Sequence, residues 1–286
     1  MAYVDAIVQG ILLGGLYALF AAGLSLIFGV MRLVNIAHGD FIVLGAYLAL
    51  ITIQMTGLHP FLALIIVVPV MALAGYAIQR GLLNRTLGPN LLPPILVTFG
   101  LAVVIQNTLL MGFSTDTRRL AAGSIETASL SLGPISIGWL PLLTFVVAVV
   151  LIVGLEQVFY RTAIGRAFRA TSDDAETARA MGINTRHVHA LAMALSFAVI
   201  AIAGVFLAVR SNFDPFSGPA RLIYGFEAVI IGGLGSLWGT LAGGVVLGVA
   251  QALGAQISPA FQILAGHIVF FVILAVRPRG LFPRMD

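Results

Sequence analysis

Charged positions fall in a few clumps along this chain, and the stretches between them are apolar over lengths that no globular core needs. Ala6 to Val30 runs 25 residues without a charge, Phe41 to Gln79 runs 39, and Ala228 to Val276 runs 49. A bilayer core about 30 Å thick is crossed by roughly 20 apolar residues rising about 1.5 Å each, so the longer runs must fold back within the membrane. Turn and charge signals cut the chain into spans near 6–30, 41–56, 60–79, 92–112, 136–157 and 187–209, then a Gly-rich region over 223–254 and a last helix over about 259–276. Gly57, His59 and Pro60 break the 39-residue run into a helical hairpin, and Pro93 with Pro94 starts the next span. The pattern predicts an all-α, polytopic helical bundle of about eight to nine spanning or half-spanning helices, forming a single transmembrane domain over 1–286.

Composition agrees: 60% of residues are hydrophobic and the mean hydropathy is +1.07. The sequence pI of about 10.0 is therefore no nucleic-acid footprint, because the arginines sit at span ends next to lipid headgroups, where charge sets orientation. Taking the charged loop over 156–186, the Arg80/Arg85 turn and the Arg277, Arg279, Arg284 tail as cytoplasmic puts the N-terminus outside and the C-terminus inside. Of the 15 arginines, 11 are then inside, Arg32 among them, and Arg118, Arg119, Arg210 and Arg221 are outside. The first apolar stretch, with Asp5 in place of a basic leader, is expected to be a retained helix and not a cleaved signal.

That orientation constrains the Gly-rich region. The loop over 210–221 is outside and the last helix runs inward, so residues 223–254 must return to the side they start from. A broken or re-entrant pair of elements does this, with irregular backbone covered by protein or a water-filled cavity. The alternative is one long packing helix using Gly239/Gly243 and Gly244/Gly248 as small-xxx-small contacts.

No cysteine is present, which excludes disulfides, thiolate nucleophiles and cysteine metal sites. No lysine is present either, which excludes a Walker-type phosphate loop in this chain. There is no Gly-x-Ser-x-Gly elbow. His187 and His189, two apart on a helix, point to different sides and make no metal pair. His267 lies mid-span with no charged neighbour in sequence, as a hydrogen-bonded packing residue would. Asn84-Arg85-Thr86 fits the glycosylation pattern but lies on the inner side.

The segment from Glu156 to Arg186 gathers 9 of the 26 charges into 31 positions. Within it, Thr171-Ser172-Asp173-Asp174 reads as a helix cap, with acid in the first turn and Arg179 in the last, and Gly182 as the stop. Ala175, Glu176, Thr177, Ala178, Ala180 and Met181 lie between, so a cytoplasmic helix of about ten residues over 172–181 is expected, small enough in its side chains to enter a partner's groove. Arg161, Arg166 and Arg169 either serve that partner or hold the span's inner end.

Two further groups are candidates for a substrate pathway. Asn35, His38, Gly39 and Asp40 follow the first span, and Glu227, Gly232 and Gly235 open the Gly-rich region. An ionisable side chain at membrane depth costs about 2.5–3.5 kcal/mol, so one kept there has a partner or a function, while one at the interface is an ordinary flanking charge. Both placements fit the sequence. Gly-interrupted segments in both halves would expose backbone to the pathway, as broken helices do in transporters. The outer arginines pair with acids of a docked protein or merely flank spans.

Glu176-Thr177-Ala178 followed by Gly182 resembles the Glu-Ala-Ala, three residues, Gly core of the coupling loop in permease subunits of ABC importers, with Thr177 standing for an alanine and the later Ile-x-Leu-Pro portion absent. Gly14-Gly15-Leu16-Tyr17-Ala18-Leu19, Gly23-Leu24-Ser25-Leu26-Ile27-Phe28-Gly29 and Asn35-Ile36-Ala37-His38-Gly39-Asp40-Phe41 resemble the LivH-type permeases of branched-chain amino acid importers. Gly165-Arg166-Ala167-Phe168-Arg169-Ala170, Gly182-Ile183-Asn184, Gly225-Phe226-Glu227-Ala228 and Gly232-Gly233-Leu234-Gly235-Ser236 are similar to that family too. The resemblance implies a permease domain in the bacterial inner membrane, with no cofactor of its own. ATP and Mg would be held by two ATP-binding partner subunits docking on the 156–186 coupling loop. A second, LivM-type permease subunit would complete the pathway and a periplasmic amino-acid-binding protein would deliver substrate. The rival reading is an ion-coupled secondary transporter or facilitator that uses Asp40 and Glu227 itself.

Overall fold

The computed structural model describes residues 2–88, 90, 92–132 and 135–282. The chain forms α1 (Ala2–Met31), α2 (His38–Thr56), α3 (Pro60–Gly81), α4 (Leu92–Phe113), a two-stranded antiparallel hairpin of β1 (Ser129–Leu132) and β2 (Ile135–Gly138), and α5 (Trp139–Arg161). It continues through two short helices, α6 (Ala163–Asp173) and α7 (Ala175–Ala180), then α8 (Thr185–Arg210), α9 (Gly218–Gly232), α10 (Leu237–Ile257) and α11 (Phe261–Val276). Among the described residues, seven helices, α1 to α5, α8 and α10, are long and apolar enough to cross a membrane. With α9 and α11, of 15 and 16 residues, they make up the expected eight to nine spanning or half-spanning helices. Arg284 lies outside the described residues, and the hairpin is an element the apolar pattern does not show.

Helices α1 and α8 run antiparallel through the buried centre, where Ser196 Oγ donates to the Gly23 carbonyl at 2.8 Å. α10 packs on α1 as α3 packs on α8, and α9 packs on α1 as α2 packs on α8. The order α1–α2–α3 is thus repeated with reversed direction by α8–α9–α10, the inverted-repeat plan of many transporters. The two repeats touch where α2 and α9 begin: a Cβ on Gly39 would lie 2.0 Å from the Gly218 carbonyl oxygen. α3, α4, α5 and α11 form the periphery and leave their aliphatic faces exposed.

The Gly-rich region is broken into α9 and α10. Gly233 (φ 109°) and Gly235 (φ 80°) make the turn, and Ser236 caps α10 by accepting from the Gly239 amide at 3.1 Å. The amides of Leu281 and Phe282 donate to the Ile231 and Gly232 carbonyls at 2.8 and 2.9 Å, satisfying the end of α9. The region is thus not one long helix, although its glycines do serve as the packing contacts that alternative invoked. A Cβ on Gly243 would sit 2.0 Å from the Ala228 carbonyl of α9, and one on Gly248 would sit 2.3 Å from the Gly10 carbonyl of α1.

The break itself lies beside Gly29, near the end of α1. Irregular backbone occurs elsewhere too, in residues 32–37 and 211–217. Arg32 (φ 50°) turns the chain back, and His38 Nε2 donates to the Phe20 carbonyl at 2.7 Å. Phe20 precedes the end of α1 at Met31 by a stretch of about 16 Å at 1.5 Å per residue. Helix α2 therefore starts well inside the bundle.

Candidate functional site

Two regions hold the candidate residues. The first is the end of the molecule where α5 passes into α6 and α7. Thr162 caps α6, its hydroxyl accepting from the Gly165 amide at 3.0 Å, and α6 folds back so closely that a Cβ on Gly165 would lie 2.2 Å from the Val158 carbonyl. Phe168 buries itself among Leu26, Leu155 and Val188. Arg169 donates to the Phe159 carbonyl and lies over the Tyr160 ring, with 5.2 Å to its centroid, while Ser172 Oγ donates to the Gly29 carbonyl at 2.6 Å. Arg169 thus holds the C-terminal end of α5, and Ser172 ties α6 to α1.

The single helix expected over 172–181 is corrected to two elements. Ser172 and Asp173 finish α6, and Asp174, extended at φ −150°, caps a six-residue α7. Its carboxylate accepts from the Thr177 hydroxyl at 2.6 Å and from the Glu176 and Thr177 amides at 2.8 and 3.1 Å. Those bonds, the Thr177 hydroxyl first among them, hold the Asp174 carboxyl below its usual range. Ser172 does not act as the cap, because it lies within α6 while Asp174 is the extended residue that precedes α7. Gly182 (φ 85°) ends the helix as expected, letting the Ile183 amide reach the Ala178 carbonyl at 3.0 Å. Ala178 is only 4% exposed and Ala175 half-buried, so the outward face is formed by Glu176, Thr177, Arg179, Ala180 and Met181, the last 79% exposed. Ala178 is thereby corrected from a docking contact to a packing residue.

Between this end and the α9–α10 break lies a cavity of about 1150 Å³, whose lining includes Arg32, Glu156, Gly235, Ser236 and Trp238. Trp238 Nε1 donates to Glu156 at 2.8 Å across it.

The second region is the buried start of α2. Asn35 Oδ1 accepts from the Ala37 amide at 3.1 Å, and the Thr98 hydroxyl of α4 accepts from the Ile36 amide at 3.3 Å, which covers irregular backbone that has no water to meet it. Asp40 accepts from Gln106 Nε2 of α4 at 2.8 Å. Asn35, His38, Gly39 and Asp40 are thus all buried at the start of α2, with Gly39 and Asp40 against Gly218 of α9. Glu227 is held apart from them. It is 5% exposed on α9 and accepts from His267 Nδ1 of α11, on a side chain 33% exposed. Gly232 is buried under α10, and Gly235 borders the cavity.

Gln106 and His267 are the residues sequence reasoning does not pair with these acids. An amide 66 residues from Asp40 and a histidine 40 residues from Glu227 leave no local signal. Their common trace is being polar in the middle of an apolar run.

A family model described as "Branched-chain amino acid transport system / permease component" matches residues 6–277. The chain is 29% identical to the high-affinity branched-chain amino acid transport system permease protein BraD of Pseudomonas aeruginosa, over 99% of this chain and 97% of that one. It is 26% identical to the corresponding LivH protein of Escherichia coli, over 99% and 96%. To a probable branched-chain amino acid transport permease protein LivH of Methanocaldococcus jannaschii it is 27% identical, over 85% and 78%. No solved structure matches the chain at a significant level.

Proposed function

This chain belongs to the family of permease components of branched-chain amino acid transport systems, and on that footing we propose that it passes branched-chain or other apolar amino acids across the bacterial inner membrane, driven by ATP hydrolysed on partner subunits. It is a multi-pass membrane protein. In this reading the α6–α7 end is cytoplasmic and the end bearing the β1–β2 hairpin faces the periplasm, where a binding protein delivers substrate. A second, related permease chain completes the pathway, and two ATP-binding subunits, with their Mg and ATP, dock below.

The observation that carries the reading is α7: a short, side-chain-capped helix with an exposed face, standing on an α6 that is bonded to both α5 and α1. A push on α7 would pass through α6 to the end of α1, and across the cavity to the α9–α10 break. Asp40 and Glu227 then act as anchors of moving walls, Asp40 holding α4 to α2 and Glu227 holding α11 to α9. The family match favours this reading over ion-coupled transport.

The test uses the assembled importer in proteoliposomes. Ala180→Arg and Met181→Arg, both at exposed positions, are expected to cut ATP-driven leucine uptake about tenfold or more while leaving the amount of folded chain unchanged. Normal uptake by both variants would remove the docking assignment.

A further inference from the structure

Resting on that permease reading, the course of the pathway can be read from one helix face. α4 buries a single stripe, Thr98, Ala102, Ile105 and Leu109, against the rest of the chain. Its opposite face is open, and at Gly100 an added Cβ would meet nothing within 4 Å. The exposed faces of α3, α5 and α11 are, among the described residues, carbon side chains between the helix ends, apart from the one-third-exposed His267 that is bonded to Glu227: Ile65, Ile66 and Val70, then Val146, Val150 and Val153, then Ile268, Phe271 and Val272. That is what lipid selects. The face of α4 differs, because Asn107 and Thr108 are exposed on it between Val104 and Met111.

For a 22-residue helix about 33 Å long, Asn107 stands about 7 Å from the midpoint, well inside a hydrocarbon layer about 30 Å thick. Asn107 Nδ2 folds back on the Val103 carbonyl at 2.8 Å, which leaves its carbonyl oxygen pointing away from its own helix turn. A carboxamide and a hydroxyl at that depth must face protein or water. The polar strip also continues inward. Gln106, the preceding residue, carries an amide to the buried Asp40, so an ionisable group and the open face are joined through one side chain.

We propose that the outer face of α4, centred on Asn107 and Thr108, is this chain's wall of a water-filled pathway for an apolar amino acid. The chemistry suits such a cargo. Asn107 and Thr108 offer donors and acceptors to the ammonium and carboxylate of the zwitterion, and Phe99, Val103 and Met111 offer carbon to its side chain. Asp40, behind Gln106, is a positioning residue that fixes the strip's orientation.

The absence of cysteine makes the test direct, since any single cysteine placed in this chain is its sole thiol. In the assembled importer, the chain's modification by a charged, water-soluble thiol reagent is followed by its mass for Asn107→Cys, Thr108→Cys and Val104→Cys. Val70→Cys on α3 and Val150→Cys on α5 are the controls. The α4 positions are expected to react at least tenfold faster than the controls, and to slow several-fold when leucine-loaded binding protein and ATP are supplied. Rates on α4 within twofold of the controls, with wild-type leucine uptake intact, would overturn the wall and leave the function standing; Val104→Cys guards against a fold defect at either polar site. Fast reaction on α4 in an assembly that shows no ATP-driven uptake at all would support a water-filled wall and overturn the transport reading beneath it.

Discussion

Glu227 and His267 lie 40 residues apart, and neither makes sense alone in an apolar helix. A buried carboxylate that loses its partner keeps the cost of desolvation without the bond that offsets it, and a hydrogen bond to a charged group contributes about 1.5–3 kcal/mol. Glu227→Gln is therefore expected to lower ATP-driven uptake at least several-fold with the chain still in the membrane, measured as initial leucine uptake per folded importer. His267→Leu, which removes the donor outright, should do at least as much, and adding Glu227→Gln to it should cost little more, because both act on one contact. Additive losses, or normal flux and ATPase stimulation in Glu227→Gln, would show that the contact anchors nothing. The glycines make a similar case by space. A Cβ at Gly248 would meet the Gly10 carbonyl at 2.3 Å, so Gly248→Val should lower the detergent unfolding midpoint by several degrees, about 2–4 °C for each kcal/mol in a chain of this size. At this scale the sequence shows which residues are out of place in an apolar run, but not their partners, because nothing local encodes a contact between helices.

Among the elements, the spans were legible because their lengths are set by the bilayer and their ends by arginine, proline and glycine. Gly57 ends α2 and Pro60 starts α3 as expected. The break at Gly233 to Ser236 was legible from the need for residues 223–254 to return to one side. The course of α6 and α7 was not. A cap motif with several Ser, Thr and Asp residues in a row has several possible starts, and the choice fell to Asp174 because α6 runs on through Ser172, whose hydroxyl reaches the Gly29 carbonyl of α1, 143 residues away. The same distance effect hid the inward turn over 32–37, whose backbone groups are met by Thr98 of α4. Asp174→Ala should loosen α7 and reduce uptake without changing the amount of folded chain. Since the folded state depresses the Asp174 carboxyl below its ordinary value of 3.8, the cap is at full strength above that value and fades as pH falls through the lower folded pKa. Helix strength at α7 should thus be flat from neutral pH down to mild acid, measured by amide exchange over residues 175–181; a loss near pH 6 would contradict the cap. Ala178→Arg, at a buried position, should reduce folded protein, in contrast to Met181→Arg.

As a whole molecule, the chain is built on two inverted three-helix repeats that touch at Gly39 and Gly218, with the short helix α7 at one end and a hairpin at the other. The sequence lacks the lysine that a Walker-type phosphate loop requires. On the proposed reading the work comes from partner subunits, and α7 is the element that would receive it. The measurement that bears most directly on this is leucine accumulation in proteoliposomes holding the chain with its permease, ATP-binding and binding-protein partners, compared with liposomes holding the chain alone under a proton or sodium gradient. Accumulation that requires ATP and the partners, and is absent from the chain alone on either gradient, is the predicted result. Gradient-driven accumulation by the chain alone would contradict it.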